Sequence, residues 1–382
     1  MANTLKFGNG EWYGKDGSIL AYNDENKNFK PLPFDFTRAS TGTYVGSDGL
    51  IKTAGSNEPR VDYTDNTDGA LLLEPARTNL VTYSNDFTNA SWSGTFVGNN
   101  AISPDGTLNA DKFVFTQGAS YPQFYKSVSG LVVGQQYTST IYIKKTENSS
   151  DFEINSSGIP FSPTNEWQKV VKTFTATSTT QTVLLNYVVS VGVGVVNEIY
   201  VAFAQIEAGS YATSYIPTNG SSVTRVVDIC DQNPVTGIIG QTELTVFYQG
   251  IVERLGGSDG HAIALSQSAN ASGSSRILLY RNSGNGNMYI YIQDSTTQFS
   301  TPLLVKSNPQ INDKYAIAVK DNDLVVYCNG VKVAENTSGT IPATQYISLN
   351  KWNNLTYEQS KIKDVKLYNT RLTNEELATL TT

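Results

Sequence analysis

The sequence predicts an all-β chain, an extended N-terminal segment followed by two β-sandwich (jelly-roll) domains. Three observations carry this. The composition has 22 Tyr, 15 Phe and 31 Gly against 2 Met and 16% charged residues, which suits short aromatic strands joined by glycine turns rather than helices. Short runs alternate with the period of a strand: Tyr137, Ser139, Ile141 and Ile143 fall on one side, Thr138, Thr140 and Tyr142 on the other. Asn329-Gly330 separates two β-branched runs, and a type I′ hairpin favours that pair because both central residues take positive φ. At 382 residues the length suits two or three domains, each with its own core.

Taken in order, residues 1–75 stand apart. Phe7, Trp12, Tyr13, Tyr22, Phe29, Phe34 and Phe36 recur with no sustained period of 2 or 3.6, between Gly, Asn, Asp and Pro. A segment with many aromatic side chains and no regular elements orders them against a partner, or lies as an arm on its own domain. These seven are therefore attachment candidates, and a chain lacking residues 1–60 is expected to keep its sandwiches folded.

Residues 76–228 read as the first sandwich, with strands at Tyr137 to Lys145, Val170 to Phe174, Thr182 to Val189 and Ile199 to Ile206. The last run is apolar on both faces, as in a strand central to a sandwich or pressed against a neighbouring subunit. No helical crossovers separate the strands, so a doubly wound nucleotide-binding fold is excluded. Pro217 to Gly240 reads as the linker, with Val223 to Asp228 as a short strand stitching the domains. Residues 229–382 read as the second sandwich, with strands at Leu244 to Val252, Arg276 to Tyr280, Met288 to Ile292, Tyr315 to Val319, Leu324 to Tyr327 and Tyr346 to Leu349. Ser283 to Asn287 and Asp321 to Asp323 read as turns. Thr373 and Glu376 have capping-box spacing, which starts a short final helix.

Charge removes several function classes. The net charge is −7 and no segment clusters Lys and Arg, so a nucleic-acid or anionic-membrane partner lacks its electrostatic footprint. Met1 to Lys6 opens no apolar stretch, so no signal peptide is expected. The longest apolar run, Tyr187 to Val196, is interrupted by Ser190, Gly192 and Gly194, far short of the ~20 residues of a spanning helix. Two cysteines, Cys230 and Cys328, are too few for a disulfide framework and read as structural thiols.

Several motifs resemble known families. Val325 to Val333 with Ile362 to Tyr368 and Thr373 to Leu377 resembles the end of laminin-G-like, concanavalin-type sandwiches, over about residues 240–382. Phe36-Thr37-Arg38-Ala39-Ser40-Thr41-Gly42-Thr43-Tyr44-Val45, Pro59-Arg60-Val61-Asp62-Tyr63 and Leu71-Leu72-Leu73-Glu74-Pro75-Ala76-Arg77-Thr78-Asn79-Leu80 resemble the leader of structural proteins in tailed bacteriophages. Gln205-Ile206-Glu207-Ala208-Gly209 and Thr213-Ser214-Tyr215-Ile216-Pro217-Thr218 resemble the carbohydrate-binding-module-like jelly rolls of the same proteins. Leu5 to Gly10 and Phe29 to Phe34 are most similar to the start of head-fibre proteins of crAss-like phages. One departure is Ser360 before Lys361-Ile362, where laminin-G-like ends often carry Gly at a tight bulge.

The resemblance implies a non-enzymatic virion protein, a head fibre or capsid decoration made in the host cytoplasm and displayed on the particle. Its implied partners are itself, as a trimer or a dimer, other virion proteins, and host-surface or mucus glycans. A tail-fibre or tailspike receptor-binding protein, with or without depolymerase activity, remains the alternative, and a bacterial surface lectin is a third class. The resemblance also implies that a structural calcium is possible, for which the acidic loop Asp62 to Asp68 offers oxygens. No other cofactor is expected.

The residues themselves hold little catalytic chemistry. The one histidine, His261, reads as an edge-strand residue, and no Gly-x-Ser-x-Gly elbow accompanies it. The Glu-x-Asp-x-Glu spacing that lines a concanavalin-type hydrolytic cleft is absent. Asp151-Phe152-Glu153 and Asp321-Asn322-Asp323 come nearest. Asp24 to Asp35 imitates part of an EF-hand loop, but Phe29 occupies the position that needs glycine. Sugar recognition uses aromatic faces beside amides and carboxylates, which makes Trp352 in Asn350-Lys351-Trp352-Asn353-Asn354 a glycan-contact candidate, with Tyr280, Tyr289 and Tyr291 on strands as others. Each of the four also suits a sandwich core.

Overall fold

The structure is a computed structural model. It describes all residues except 1–2, 7–11, 16–17, 24–27, 65–66, 116–121, 148, 150–152, 157, 191–196, 236–238, 253–258, 270–274, 295, 298–302 and 353–355. It describes only the backbone of 3–6, 12–15, 18–23, 28–33, 185, 188–190, 197, 296–297, 352 and 356–357. Among the described residues the chain is all-β with one short helix, and it divides into two compact units. The first comprises Met1–Gly49, Thr53–Ala76 and Val226–Thr382, the second Leu50–Lys52 and Arg77–Arg225. Residues 1–49 and 53–76 of the leader are not a separate body. They share a unit with the C-terminal sandwich.

The first unit is a sandwich of an eight-stranded and a ten-stranded sheet. The eight-stranded sheet runs Val331–Asn336, Asp323–Cys328, Lys314–Lys320, Glu243–Val252, Ser360–Tyr368, Ala70–Leu73, Arg60–Asp62, and Asn3–Lys6 also pairs with Ser360–Tyr368. The ten-stranded sheet runs Trp12–Lys15, Ser18–Asn23, Asn28–Thr37, Ile229–Gln232, Tyr346–Leu349, Gly260–Ser266, Arg276–Arg281, Met288–Asp294, Thr296–Thr297, and Leu303–Lys306 also pairs with Met288–Asp294. Inner residues of both sheets form one core that includes Val246, Ile263, Leu279, Ile290, Val326 and Val365.

Phe34, Phe36, Leu71 and Leu73 of the leader belong to that same core. Phe34, Phe36 and Arg38 are buried while Asp35 and Thr37 between them are exposed, the period-2 pattern of a strand with one buried face. Phe34 and Phe36 are therefore core residues, which corrects their reading as attachment residues. The expectation of a segment without regular elements is corrected too. Pro31 and Pro33 cannot donate to a ladder, yet Asn28–Thr37 pairs on both sides, with Ser18–Asn23 and Ile229–Gln232.

The hairpin at Asn329-Gly330 has φ of 48° and 78°, as a type I′ turn requires. The helix Asn374–Thr381 carries the expected capping box, with Thr373 Oγ1 accepting from Glu376 N at 3.2 Å and Glu376 Oε2 accepting from Thr373 N at 2.7 Å. Its Leu377 packs on Ala316, Ala318, Val325 and Tyr327. Cys230 and Cys328 are free, buried in the core, and burial pushes both thiols up, Cys328 to about 11.

The second unit packs two five-stranded sheets. One runs Trp92–Ser93, Gln123–Ser129, Thr180–Ser190, Glu153–Ser156, Ile159–Phe161, and the other Phe96–Ile102, Leu108–Phe115, Asn197–Ala208, Gln136–Lys145, Gln168–Thr175. Between them lies an aromatic core in which the Phe113 ring sits 4.6 Å from Phe115 and 5.0 Å from Phe124. The strand Val223–Arg225 pairs within this unit, with Arg77–Asn79.

The central strand Asn197–Ala208 is apolar on both faces, as expected. Its ladder shifts register near Phe203, whose φ is 53°, so Ile199 and Val201 before the bulge and Ala204 and Ile206 after it share the core side. The second face is covered within the unit: Phe203 stacks on Tyr215 at 4.4 Å and meets Tyr142 at 6.0 Å, with Trp167 packed alongside. A neighbouring subunit is not needed to bury this strand, which removes the residue-level argument for a trimer.

Candidate functional site

The leader motifs are structural. Arg38 Nη1 pairs with Asp228 Oδ1 at 3.0 Å, Arg60 Nη1 with Glu74 Oε2 at 2.7 Å, and Arg60 Nη2 with Asp228 Oδ2, all with fully buried side chains. Glu74 N also donates to Asp228 Oδ2 at 2.7 Å, and Arg38 Nη2 donates to the carbonyls of Gly55 and Glu58 at 2.6 and 2.9 Å. Two cations and two anions thus satisfy one another in a site where a lone charge would be costly. Burial pulls the Arg60 pKa down, but Asp228 and Glu74 outweigh it and the net shift is upward.

The second motif pair folds the same way within its own unit. Glu207 accepts from Thr213 N, Thr213 Oγ1 and Gln205 Nε2 at 2.6 to 2.9 Å, and Gln205 Oε1 accepts from Ile216 N at 2.7 Å. Asn79 Oδ1 accepts from Val81 N and Ile206 N at 3.0 and 3.1 Å. These contacts tie the 209–218 segment to the central strand, so the conspicuous residues of both motifs serve folding rather than ligand contact.

Three of the four glycan-contact candidates, Tyr280, Tyr289 and Tyr291, share the outer face of the ten-stranded sheet. Alternation sends Ile277, Leu279, Ile290 and Ile292 into the core and turns Leu278, Tyr280, Tyr289 and Tyr291 outward. Tyr280 lies directly opposite Tyr289, with rings stacked 5.9 Å apart, and opposite His261 on its other side, at 5.8 Å. Leu304, 45% exposed, extends the row beyond Tyr289. Beside it, the Arg276 guanidinium lies 4.9 Å from the Tyr291 ring centre. Asn285 Nδ2 in the adjoining turn donates to Tyr289 Oη at 2.9 Å, and Tyr291 Oη donates to Gln293 Oε1 at 3.2 Å.

The row is graded from inside to outside. Tyr280 is only 7% exposed, and burial, then Asp259, push its hydroxyl up to about 12. It supports the face and does not present it. Tyr289 and Tyr291 are half-buried and carry the accessible rings. His261 is half-buried, its Nδ1 is shut from solvent without a hydrogen-bond partner among the described residues, and burial pulls its pKa down to about 4. Its strand Gly260–Ser266 lies between Tyr346–Leu349 and Arg276–Arg281, which corrects the reading of an edge-strand histidine. His261, Leu304 and Arg276 were missed as members of this face. Their signal was position: each occupies an outward register opposite or beside a tyrosine.

The remaining candidates fall elsewhere. The backbone of Trp352 pairs with Thr356 in a short ladder, but its side chain lies outside the described residues. So do Phe7 and the side chains of Trp12, Tyr13, Tyr22 and Phe29, together with most of the EF-hand-like stretch and Asp151-Phe152. Asp321-Asn322-Asp323 is a turn, with Asn322 at φ 60°, Asp321 Oδ1 accepting from Ile341 N and Asp323 paired to Arg371. The loop considered for calcium is met by lysines: Lys361 Nζ lies 3.1 Å from Asp62 Oδ1 and Lys363 Nζ 2.8 Å from Asp68 Oδ2. Among the described residues no group of three or more His, Cys, Asp or Glu is placed to hold a metal ion.

No family model matches the chain, and neither does any curated protein. Among solved structures it is similar to the CBM40 of the Ruminococcus gnavus IT-sialidase, at 10% identity over 37% of this chain and 84% of that one, with a TM-score of 0.32. It is also similar to domain 4 of AbnA, a GH43 extracellular arabinanase from Geobacillus stearothermophilus in complex with arabinotriose, at 13% identity over 45% and 82% and a TM-score of 0.32. A third is the heptameric SAP-like pentraxin of Limulus polyphemus, at 13% identity over 37% and 70% and a TM-score of 0.30. At these scores no statement about function rests on the likeness.

Proposed function

We propose that the chain is a non-enzymatic adhesion protein of a tailed-phage particle, a head fibre or capsid decoration that meets host-surface or mucus glycans through the outer face of its ten-stranded sheet. The observation that carries the glycan reading is the row His261, Tyr280, Tyr289 and Leu304 with Tyr291 beside it. Half-buried tyrosine rings on adjacent strands, bordered by the Asn285 amide and the Arg276 guanidinium, offer aromatic contact area next to hydrogen-bonding groups. The virion role is supported by the leader resemblance, and many copies on one particle would turn weak single contacts into avidity.

Attachment falls to the part of the leader before Phe34, where Phe7, Trp12, Tyr13, Tyr22 and Phe29 remain the candidates. A glycan array with the wild-type chain and Tyr289→Ala tests the binding face: wild-type signal that the variant loses, at an unchanged melting temperature, supports it. Wild-type signal that Tyr289→Ala and Tyr291→Ala both retain overturns it. Electron cryomicroscopy of the particle tests the location, since density for the chain on the tail and none on the capsid excludes a head fibre.

A further inference from the structure

We propose that the second unit carries a ligand site of its own, for a small carboxylate with an apolar body, in a cavity between its two five-stranded sheets. The site lies in a different unit from the aromatic face and does not rest on it. The cavity measures about 240 Å³, where about 150 Å³ of apolar space is enough to hold benzene. Ser139, Lys172 and Phe174 line it from one sheet, and Gln181, Val183 and Leu184 from the other.

The apolar wall is made by a bulge. The pairing of Gln123–Ser129 with Thr180–Ser190 steps from Lys126 opposite Val183 to Phe124 opposite Asn186, so Leu184 and Leu185 lie opposite Tyr125 alone. Such an insertion re-aims side chains, and Val183 and Leu184, though consecutive, both belong to the core. Leu184 takes φ of 53°, a strained conformation for a bulky residue. Asn186 Nδ2 donates to the Leu184 carbonyl at 2.7 Å, and Asn186 Oδ1 is buried without a partner among the described residues. Backbone strain of this kind concentrates at ligand sites.

The polar lining consists of donors. Lys172 alternates with Val170 and Phe174, which pack on the core, so its side chain faces inward from the edge strand Gln168–Thr175. Its ammonium has no hydrogen-bond or ion-pair partner among the described residues. Gln181 Oε1 accepts from Thr177 N at 2.8 Å, so the amide atom left without a partner among the described residues is Nε2, a donor only. Ser139 Oγ donates to the Lys172 carbonyl at 3.3 Å. No carboxylate is among the lining residues. An ammonium and an amide N–H with no acidic neighbour favour an anion with acceptor oxygens. The Phe174, Val183 and Leu184 side chains favour one that carries an apolar body.

Amide chemical-shift titration of the full chain with sodium benzoate tests the site, with benzyl alcohol and sodium sulfate as separate arms. Benzoate should give saturable shifts at Ser139, Phe174, Val183 and Leu184, benzyl alcohol weaker ones, and sulfate none. Lys172→Met keeps the stem and removes the charge, so it should weaken benzoate binding at least about tenfold and leave benzyl alcohol unaffected. Gln181→Glu keeps the acceptor for Thr177 N and adds a negative charge, so it should abolish benzoate binding. Unchanged melting temperatures confirm that the variants fold, and either variant suffices. An inward lysine that only guards the edge strand against pairing would give no benzoate shifts. That result, equal affinity for benzoate and benzyl alcohol, the same shifts with sulfate, or benzoate shifts that survive both substitutions would overturn the proposal.

Discussion

The Arg38 guanidinium donates to the Asp228 carboxylate at 3.0 Å across 190 residues of sequence, with both side chains fully buried. Asp228 also receives Arg60, so one carboxylate near the start of the C-terminal segment holds two cations from the leader. These contacts tie Arg38 and Arg60 of the leader to the segment that opens the C-terminal sandwich, within one compact unit.

Asp228→Asn should destabilise the first unit by about 3–5 kcal/mol, because it removes the buried carboxylate that pairs with both Arg38 and Arg60. Urea unfolding followed by tyrosine and tryptophan fluorescence checks this. A change below about 1 kcal/mol would mean that the network is solvated or rearranges freely.

Gly209→Ala should destabilise the second unit by about 1–3 kcal/mol. The residue has φ of 138°, and a Cβ would lie 2.8 Å from Arg77 Nη2, whose guanidinium lies over Tyr211 at 5.4 Å. Differential scanning calorimetry should show the change in the transition of this unit.

Stability should fall in mild acid through His261. Burial lowers its folded pKa to about 4, with Asp259 raising and Arg276 lowering it, against roughly 6.5 in an unfolded chain. Between those values the unfolded chain binds the proton and the folded chain does not, so stability present above pH 6.5 is lost as pH falls toward 4. His261→Gln should flatten this slope. Asp111, pushed up by burial and therefore of opposite sign, remains in both chains and cancels in the comparison. Asp105 and Glu376, held low by hydrogen bonds, lose their contribution only at more acid pH.

Much of the fold was legible locally. Asn329-Gly330 specified its turn through φ, Thr373 and Glu376 specified a helix start, and the strand runs at 137–145, 244–252 and 288–292 declared themselves by alternation. What escaped was nonlocal. Nothing within ten residues of Arg38 indicates that its partner is Asp228, so buried motif residues read as a leader signature. Asn28–Thr37 was hidden by Pro31 and Pro33, and simple alternation placed Phe203 with Ile199 and Val201 because the bulge that moves Phe203 to the other face and Ile206 into the core cannot be seen without its partner strand. At the aromatic face the tyrosines were visible as strand residues, but their stacking with His261 and Leu304 depends on the order of four strands.

The central claim is that the leader is built into the C-terminal sandwich, and a thermal melt of residues 226–382 produced alone tests it most directly. Without Phe34, Phe36, Arg38, Arg60, Leu71, Leu73 and Glu74 the fragment loses core area and leaves Asp228 buried without its cations. The account predicts no cooperative transition for this fragment. A cooperative melt at the temperature shown by the first unit in the full chain would contradict it and restore the leader as a detachable arm.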